Sequence, residues 1–306
     1  MARYFVKRVL GTIPLMLIIS ILVFMFIHMI PGDPARQMAG KEATTQEVEE
    51  LRTQLGLNDP LPQQYLHYMK DLFQGDLGWS YKTGLPASEM LLQRMQPTLM
   101  LTLWAILWSS IVGIGIGILS AVKRGGLLDY IGMFISTSGI SVPAFWLGLM
   151  LIDIFAVKLR LVPTGGLSTW QSYVLPAITL GCGIMGTLAR FSRSSMLETM
   201  QEDYVRTARA KGQREFFVVL RHAFRNSLVQ VVTVVGLQIG GLLAGSVLVE
   251  TVFSIPGLGR LMVDSIQFRD YKVIQALLMF FALEYVVINL VVDLLYGVLN
   301  PKIRYN

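Results

Sequence analysis

VLPAITLGCGIMGTLA, residues 174–189, decides how many times this chain crosses a membrane. A hydrocarbon core about 30 Å thick needs about 20 apolar residues at about 1.5 Å rise each, and this stretch is shorter. Five other segments are long enough: 9–30, 99–122, 130–157, 228–253 and 273–298. Charge settles the sixth. Arg3, Lys7 and Arg8 precede the first span and place the amino terminus in the cytoplasm. With six spans, the cytoplasmic pieces are 1–8, 123–129, 190–227 and 299–306, and they hold 15 of the 26 Lys and Arg residues. With five, the eight basic residues of 190–227 fall on the wrong side. The reading is therefore an all-α polytopic membrane protein with six transmembrane helices and both termini cytoplasmic. Trp170 and Tyr173 supply an interfacial aromatic belt at the outer mouth of the fourth span.

Composition agrees. Of 306 residues, 53% are apolar and only 15% charged, against about 25% charged in an ordinary soluble domain. Mean hydropathy is +0.56. The net charge of +6 follows the cytoplasmic segments, which argues against a nucleic-acid face. A single cysteine, Cys182, excludes an intrachain disulfide and a cysteine-based metal cluster, and inside an apolar run it reads as a small packing residue. The first apolar segment is too long for a signal-peptide core and lacks a small-x-small cleavage site, so it reads as a retained span.

Three regions follow: 1–97, the first span with an extracytoplasmic helical cap; 98–299, the transmembrane core with a cytoplasmic loop at 190–227; and a cytoplasmic tail, 300–306. In the cap, PGDPA (31–35) reads as an extended turn leaving the membrane. TTQEVEELRTQLG predicts a helix with a Thr44–Glu47 capping box, an apolar face of Val48, Leu51 and Leu55, and a stop at Gly56. DPLPQQYLHYMKDLFQG predicts a second helix with Pro62 near its start and Tyr65, Leu66, Met69, Leu72 and Phe73 on one side. A third short helix is expected over 86–95. Such a cap either covers the mouth or docks a soluble partner.

Several motifs carry no chemistry here. GCGIMG (181–186) has the G-x-G-x-x-G spacing, but it lies inside a span, where close glycines let helices approach. GIGIG (113–117) and the glycines at 236, 240, 241 and 245 read the same way. KTG (82–84) lacks the S-x-x-K that would give it meaning. His28, His67 and His222 fall at three different depths, and no phosphate-binding G-x-x-x-x-G-K-[ST] loop exists, so a driving force must come from a gradient or another subunit. Asp153, Glu250 and Asp293 lie near span ends, where a carboxylate can reach water. Glu284 lies mid-span, where a lone charge costs about 2.5–3.5 kcal/mol; it reads as structural or path-lining ahead of proton-coupled.

EDYVRTARAKGQREFFVVLRHAFRN (202–226) carries seven basic and three acidic side chains between two apolar stretches. Asp203 is placed to cap a short helix with Tyr204, Val205 and Ala208 on a small face, and Gly212 to end it in a left-handed turn. A second helix is expected over about 214–226. Such an elbow suits insertion into a groove on another protein, while an ordinary basic loop is the plainer alternative.

DYVRTARAKG and RHAFRN resemble the cytoplasmic "EAA" loop of ABC-importer permeases. The family pattern E-A-A-x-x-x-G sets its glycine on Gly212 and its EAA on 206–208; only Ala208 and Gly212 match the general form. Other matching stretches are KRVLGTIPLMLIISILVFMFIHMIPGDPA, LGLNDPLPQQYLHY, GDLGWS, VETVFSIPGLGRLMVDSIQFRDY and NPKIRY. The chain thus resembles, along nearly its whole length, permease subunits of dipeptide, oligopeptide and nickel importers, most of all the glutathione and dipeptide branch. The resemblance implies a type I ABC importer permease fold in the bacterial inner membrane, with membrane lipid around it and no role for nucleic acid. It implies a second homologous permease, two cytoplasmic ATPase subunits that carry ATP and Mg, and an extracytoplasmic solute-binding protein received by 31–97 and 254–272. It implies that this chain is not itself an enzyme and holds no cofactor. The ATPase contact then falls on Asp203, Arg206, Thr207, Ala208, Ala210, Lys211, Gly212, His222 and Arg225. The solute is left open among glutathione, dipeptides, longer peptides and nickel chelates. A gradient-driven transporter or channel using Glu284 is the competing class.

Overall fold

The computed structural model describes residues 2–29, 32–40 and 42–299. NPKIRY (300–305) and the side chains of Arg3, Lys7 and Asp293 lie outside the described residues. All regular elements among the described residues are helical. The α-helices are α1 (Ala2–Met29), α2 (Pro34–Ala39), α3 (Thr45–Gln54), α4 (Leu61–Phe73), α5 (Ala87–Val122), α6 (Leu127–Ser141), α7 (Ala144–Leu151), α8 (Val174–Met200), α9 (Asp203–Ala210), α10 (Glu215–Phe217), α11 (Arg225–Val252), α12 (Leu258–Gln267) and α13 (Tyr271–Leu299). Among the described residues four are long and apolar enough to cross a membrane singly, and the count rises to as many as six if each of two bent pairs is one span.

The third expected span is one of those pairs. Its halves, Leu127–Ser141 and Ala144–Lys158, meet at 106°. Pro143 is the cause: it lacks an N–H, and it forces Val142 into extended backbone (φ −79°, ψ 125°). The fifth span bends by 57° between Gln230–Leu242 and Gly245–Val252, in its glycine-rich stretch.

The chain divides into two units. The first comprises Pro97–Arg260 and the chain from Val287. At its centre is α8, with 61% of its most apolar window buried. The short fourth span thus sits among other helices, and its helix runs on past the apolar segment to Met200. Leu175, Leu180, Ile184 and Leu188 of α8 pack with Leu101, Ala105, Leu242, Val249 and Phe253. Glycine allows the approach. A Cβ on Gly113 would lie 2.6 Å from the Met185 carbonyl oxygen, and one on Gly117 2.6 Å from that of Ala189. A Cβ on Gly186 would strike the Ser136 carbonyl, which fixes the role of the 181–186 motif as helix packing. Gly115 and Gly241 face open space and do not share that role. The Trp108 indole N–H donates to the Ala177 carbonyl at 2.7 Å, and Arg193 grips Asp129 through two bonds of 2.7 and 2.8 Å.

Glu250 does not reach water as its place near a span end suggested. Its side chain is fully buried. The Thr98 hydroxyl donates to Oε1 at 2.7 Å and the Arg260 N–H to Oε2 at 3.0 Å, while the Leu258 N–H donates to Thr98 Oγ1 at 2.8 Å. Gly257 leaves the space this carboxylate fills. Asp153 does stay partly exposed, 2.5 Å from Lys158 Nζ.

The second unit comprises Ala2–Gln96 and Leu261–Val286. PGDPA does not simply extend: Asp33 caps α2, accepting from the Ala35 N–H, and takes Arg52 at 2.6 Å. The Thr44–Glu47 capping box forms at the start of α3, and Gly56 follows with φ +65°. α4 starts near Pro62 as expected, but Leu66 and Phe73 are exposed. Its packed face uses Tyr65 and Tyr68 against Phe24, with the Ser20 and Tyr65 hydroxyls 2.8 Å apart. The third cap helix is not separate. It is the first part of α5, which accommodates Pro97 without stopping.

Candidate coupling site

The polar stretch 202–226 forms an elbow. α9 begins at Asp203, but the capping position belongs to Glu202 and no side chain caps the helix. Asp203 is instead in the first turn, where its charge favours the positive helix end, 3.6 Å from Arg206. The Thr207 hydroxyl donates to the Asp203 carbonyl at 2.9 Å. Gly212 ends the limb with φ +76°, a conformation that costs a residue with a Cβ about 1–2 kcal/mol. Its N–H donates to the Arg209 carbonyl at 2.9 Å.

The returning limb departs from expectation. α10 is one short turn, Val218–Phe224 is π-helical, and α11 follows without a break. The second helix of the elbow is therefore continuous with the fifth expected span, and π-helical segments of this kind mark functional positions in many proteins.

Apolar contact closes the elbow on itself. Val205 and Ala208, both buried, pack against Val218. Tyr204, expected on the same face, is exposed. Ala208 is thus turned into this chain, where its small side chain lets the two limbs meet. Arg209 joins them again, donating from Nε and Nη2 to the two Glu215 oxygens at 3.1 and 2.7 Å. His222 Nε2 lies 2.8 Å from Gln213 Oε1, tying the π-helical turn to the residue after Gly212. Sequence reasoning missed Arg209, Gln213, Glu215 and Val218. The signal was present in an arginine and a glutamate either side of a glycine stop.

What remains outward is one basic face. Arg206, Thr207, Ala210, Lys211, Gly212 and Arg225 are exposed, Asp203 as well, and His222 is half-buried. The elbow is braced to the bundle where the Ser195 hydroxyl donates to Gln230 Oε1 at 2.9 Å and the Ser227 hydroxyl approaches Met196 Sδ at 3.2 Å. Glu284 belongs to the other unit; its Oε2 is buried and has no hydrogen-bond partner among the described residues.

Residues 113–305 match the family described as binding-protein-dependent transport system inner membrane component, and residues 1–102 match that family's N-terminal part. The chain belongs to this family. The permease is 52% identical to Glutathione transport system permease protein GsiC of Pectobacterium atrosepticum, and 51% identical to that of Escherichia coli K12, each match covering 100% of both chains. Its fold is shared with the inward-facing methionine ABC transporter MetNI, with a TM-score of 0.60 at 19% identity over 70% of this chain and 97% of that one. An amino acid ABC transporter crystallised with histidines gives a TM-score of 0.56 at 13% identity, over 68% and 94%. The permease is thus an inner-membrane component with an ABC-importer permease fold, as the sequence resemblance implied.

Proposed function

We propose that this permease carries small peptides, of glutathione or dipeptide size, in an ATP-driven importer, and that the 203–225 elbow couples the ATPase to transport. The solute class follows from its half-identical relatives, which are glutathione transport system permeases. The observation that carries the coupling role is the continuity of the exposed basic elbow with α11 through a π-helical turn. A rigid, self-closed elbow on the end of a spanning helix is a lever. ATP binding closes two ATPase subunits, the grooves holding the elbows of this chain and of a second permease move together, and the bundle changes between inward- and outward-facing states. ATP and Mg sit on those ATPase subunits, a solute-binding protein delivers at the other face, and both termini of this chain lie in the cytoplasm.

Site-directed crosslinking tests the contact. In a Cys182→Ala background, Ala210→Cys is expected to crosslink to an ATPase subunit in native membranes, and Trp170→Cys, at the opposite end of the bundle, is not. Absence of any ATPase adduct at Ala210 and its neighbour Lys211 would contradict the assignment. Glu284 supports one rival, a gradient-driven carrier, through its unpartnered Oε2; uptake by the purified complex without ATP would select that reading.

A further inference from the structure

A cavity of about 220 Å³ opens within the second unit, between α4, the 76–79 segment and the start of α13. It has room for about seven waters, less than a drug-sized pocket. Asp71, Asp76 and Lys272 line it, with the Trp79 ring and an aliphatic and thioether wall. The two aspartates are held together by the Asp76 N–H, which donates to the Asp71 carbonyl at 2.9 Å. Asp76 also accepts from the Gly78 N–H at 2.8 Å. Gly78 makes room for the Lys272 stem, since a Cβ there would lie 3.0 Å from Lys272 Cδ. The Ser80 hydroxyl, 2.5 Å from Asp270 Oδ2, fixes this segment beside the base of α13. Among the described residues, neither aspartate forms an ion pair with Lys272.

Two neutral polar groups complete the lining. Gln275 is only 8% exposed, and the buried Tyr68 hydroxyl lies beside it in the lining. Charges of both signs line one small space without pairing with one another, beside a buried amide and a buried hydroxyl. We infer that this cavity binds a small zwitterion, with an ammonium on Asp71 and Asp76, a carboxylate or phosphate on Lys272, and the Gln275 amide and Tyr68 hydroxyl completing its hydrogen bonds. Carboxylate–ammonium contacts of this kind are charge-assisted. Its use as a waiting site for delivered peptide rests on the importer reading; binding itself does not.

A free amino acid or dipeptide and the headgroup of phosphatidylethanolamine share this chemistry. The test is Trp79 fluorescence of the full chain in phosphatidylglycerol nanodiscs without ATP, titrated with L-alanine, glycylglycine and reduced glutathione. A saturable change is expected for at least one of them. Lys272→Met or Asp71→Asn should weaken it by about tenfold or more, and Trp79→Phe should abolish the signal. A response only to added phosphatidylethanolamine, lost in Lys272→Met, would assign the cavity to the headgroup. The inference is overturned by no saturable response to either source, or by equal binding of N-acetylated, amidated glycylglycine. Because no ATP is present, these results stand apart from the outcome of the crosslinking experiment.

Discussion

Glu250 carries the heaviest demand placed on a single side chain in the first unit. Its two oxygens accept from Thr98 and from the Arg260 N–H, and Thr98 in turn accepts from Leu258, so one carboxylate organises the 257–260 turn. A glutamine at this position offers one acceptor oxygen and an NH2 that clashes with a donor. Glu250→Gln is therefore expected to lower stability by about 1–3 kcal/mol, the cost of a buried donor left unsatisfied. Thermal unfolding in detergent, read by intrinsic fluorescence, checks this; an unchanged midpoint contradicts it. Sequence pattern could place Glu250 near a span end but not inside the turn, because nothing in a lone acid flanked by Val249 and Thr251 distinguishes a snorkelling carboxylate from one nested by residues on the other side of a loop.

At the scale of the element, the elbow is two limbs closed by Val205, Ala208 and Val218 and by one surface ion pair. The hydrogen bonds from Arg209 hold the Glu215 carboxyl below the ordinary carboxylate range. With a depressed folded value, the stability contributed is present above the unfolded value of about 4.3 and is lost only as pH falls through the folded one. The pair is exposed, so its contribution is about 0.2–1 kcal/mol. Glu215→Gln is accordingly expected to reduce stimulated ATP hydrolysis of the complex only slightly, with a variant-to-wild-type ratio constant between about pH 6 and 8. A ratio that changes across that window would show a different group controlling the elbow. The glycine stop, the first limb and the basic face of this element were legible from residues 203–212. The π-helical return was not, since Val218–Phe224 has the composition of an ordinary helix, and its contacts with α8 and α9 are tertiary. The expected third cap helix is likewise absorbed into α5, which runs through Pro97 without a stop.

For the whole molecule, the candidate spans were readable because lipid demands length, a constraint that acts on composition rather than contact. The sharp bend at Pro143 was not legible in the length of the 130–157 segment, because its 106° depends on where α7 packs against α8 and α11. The central claim is that ATPase closure reaches the membrane bundle through the elbow. Gly212→Pro tests it most directly, because proline fixes φ near −65° where the chain requires +76° and removes the N–H that Arg209 accepts. The measurement is peptide uptake and binding-protein-stimulated ATP hydrolysis by the reconstituted complex. The account predicts a chain inserted in the membrane at wild-type level, uptake reduced by about tenfold or more and stimulation lost. Full uptake with normal stimulation would contradict it.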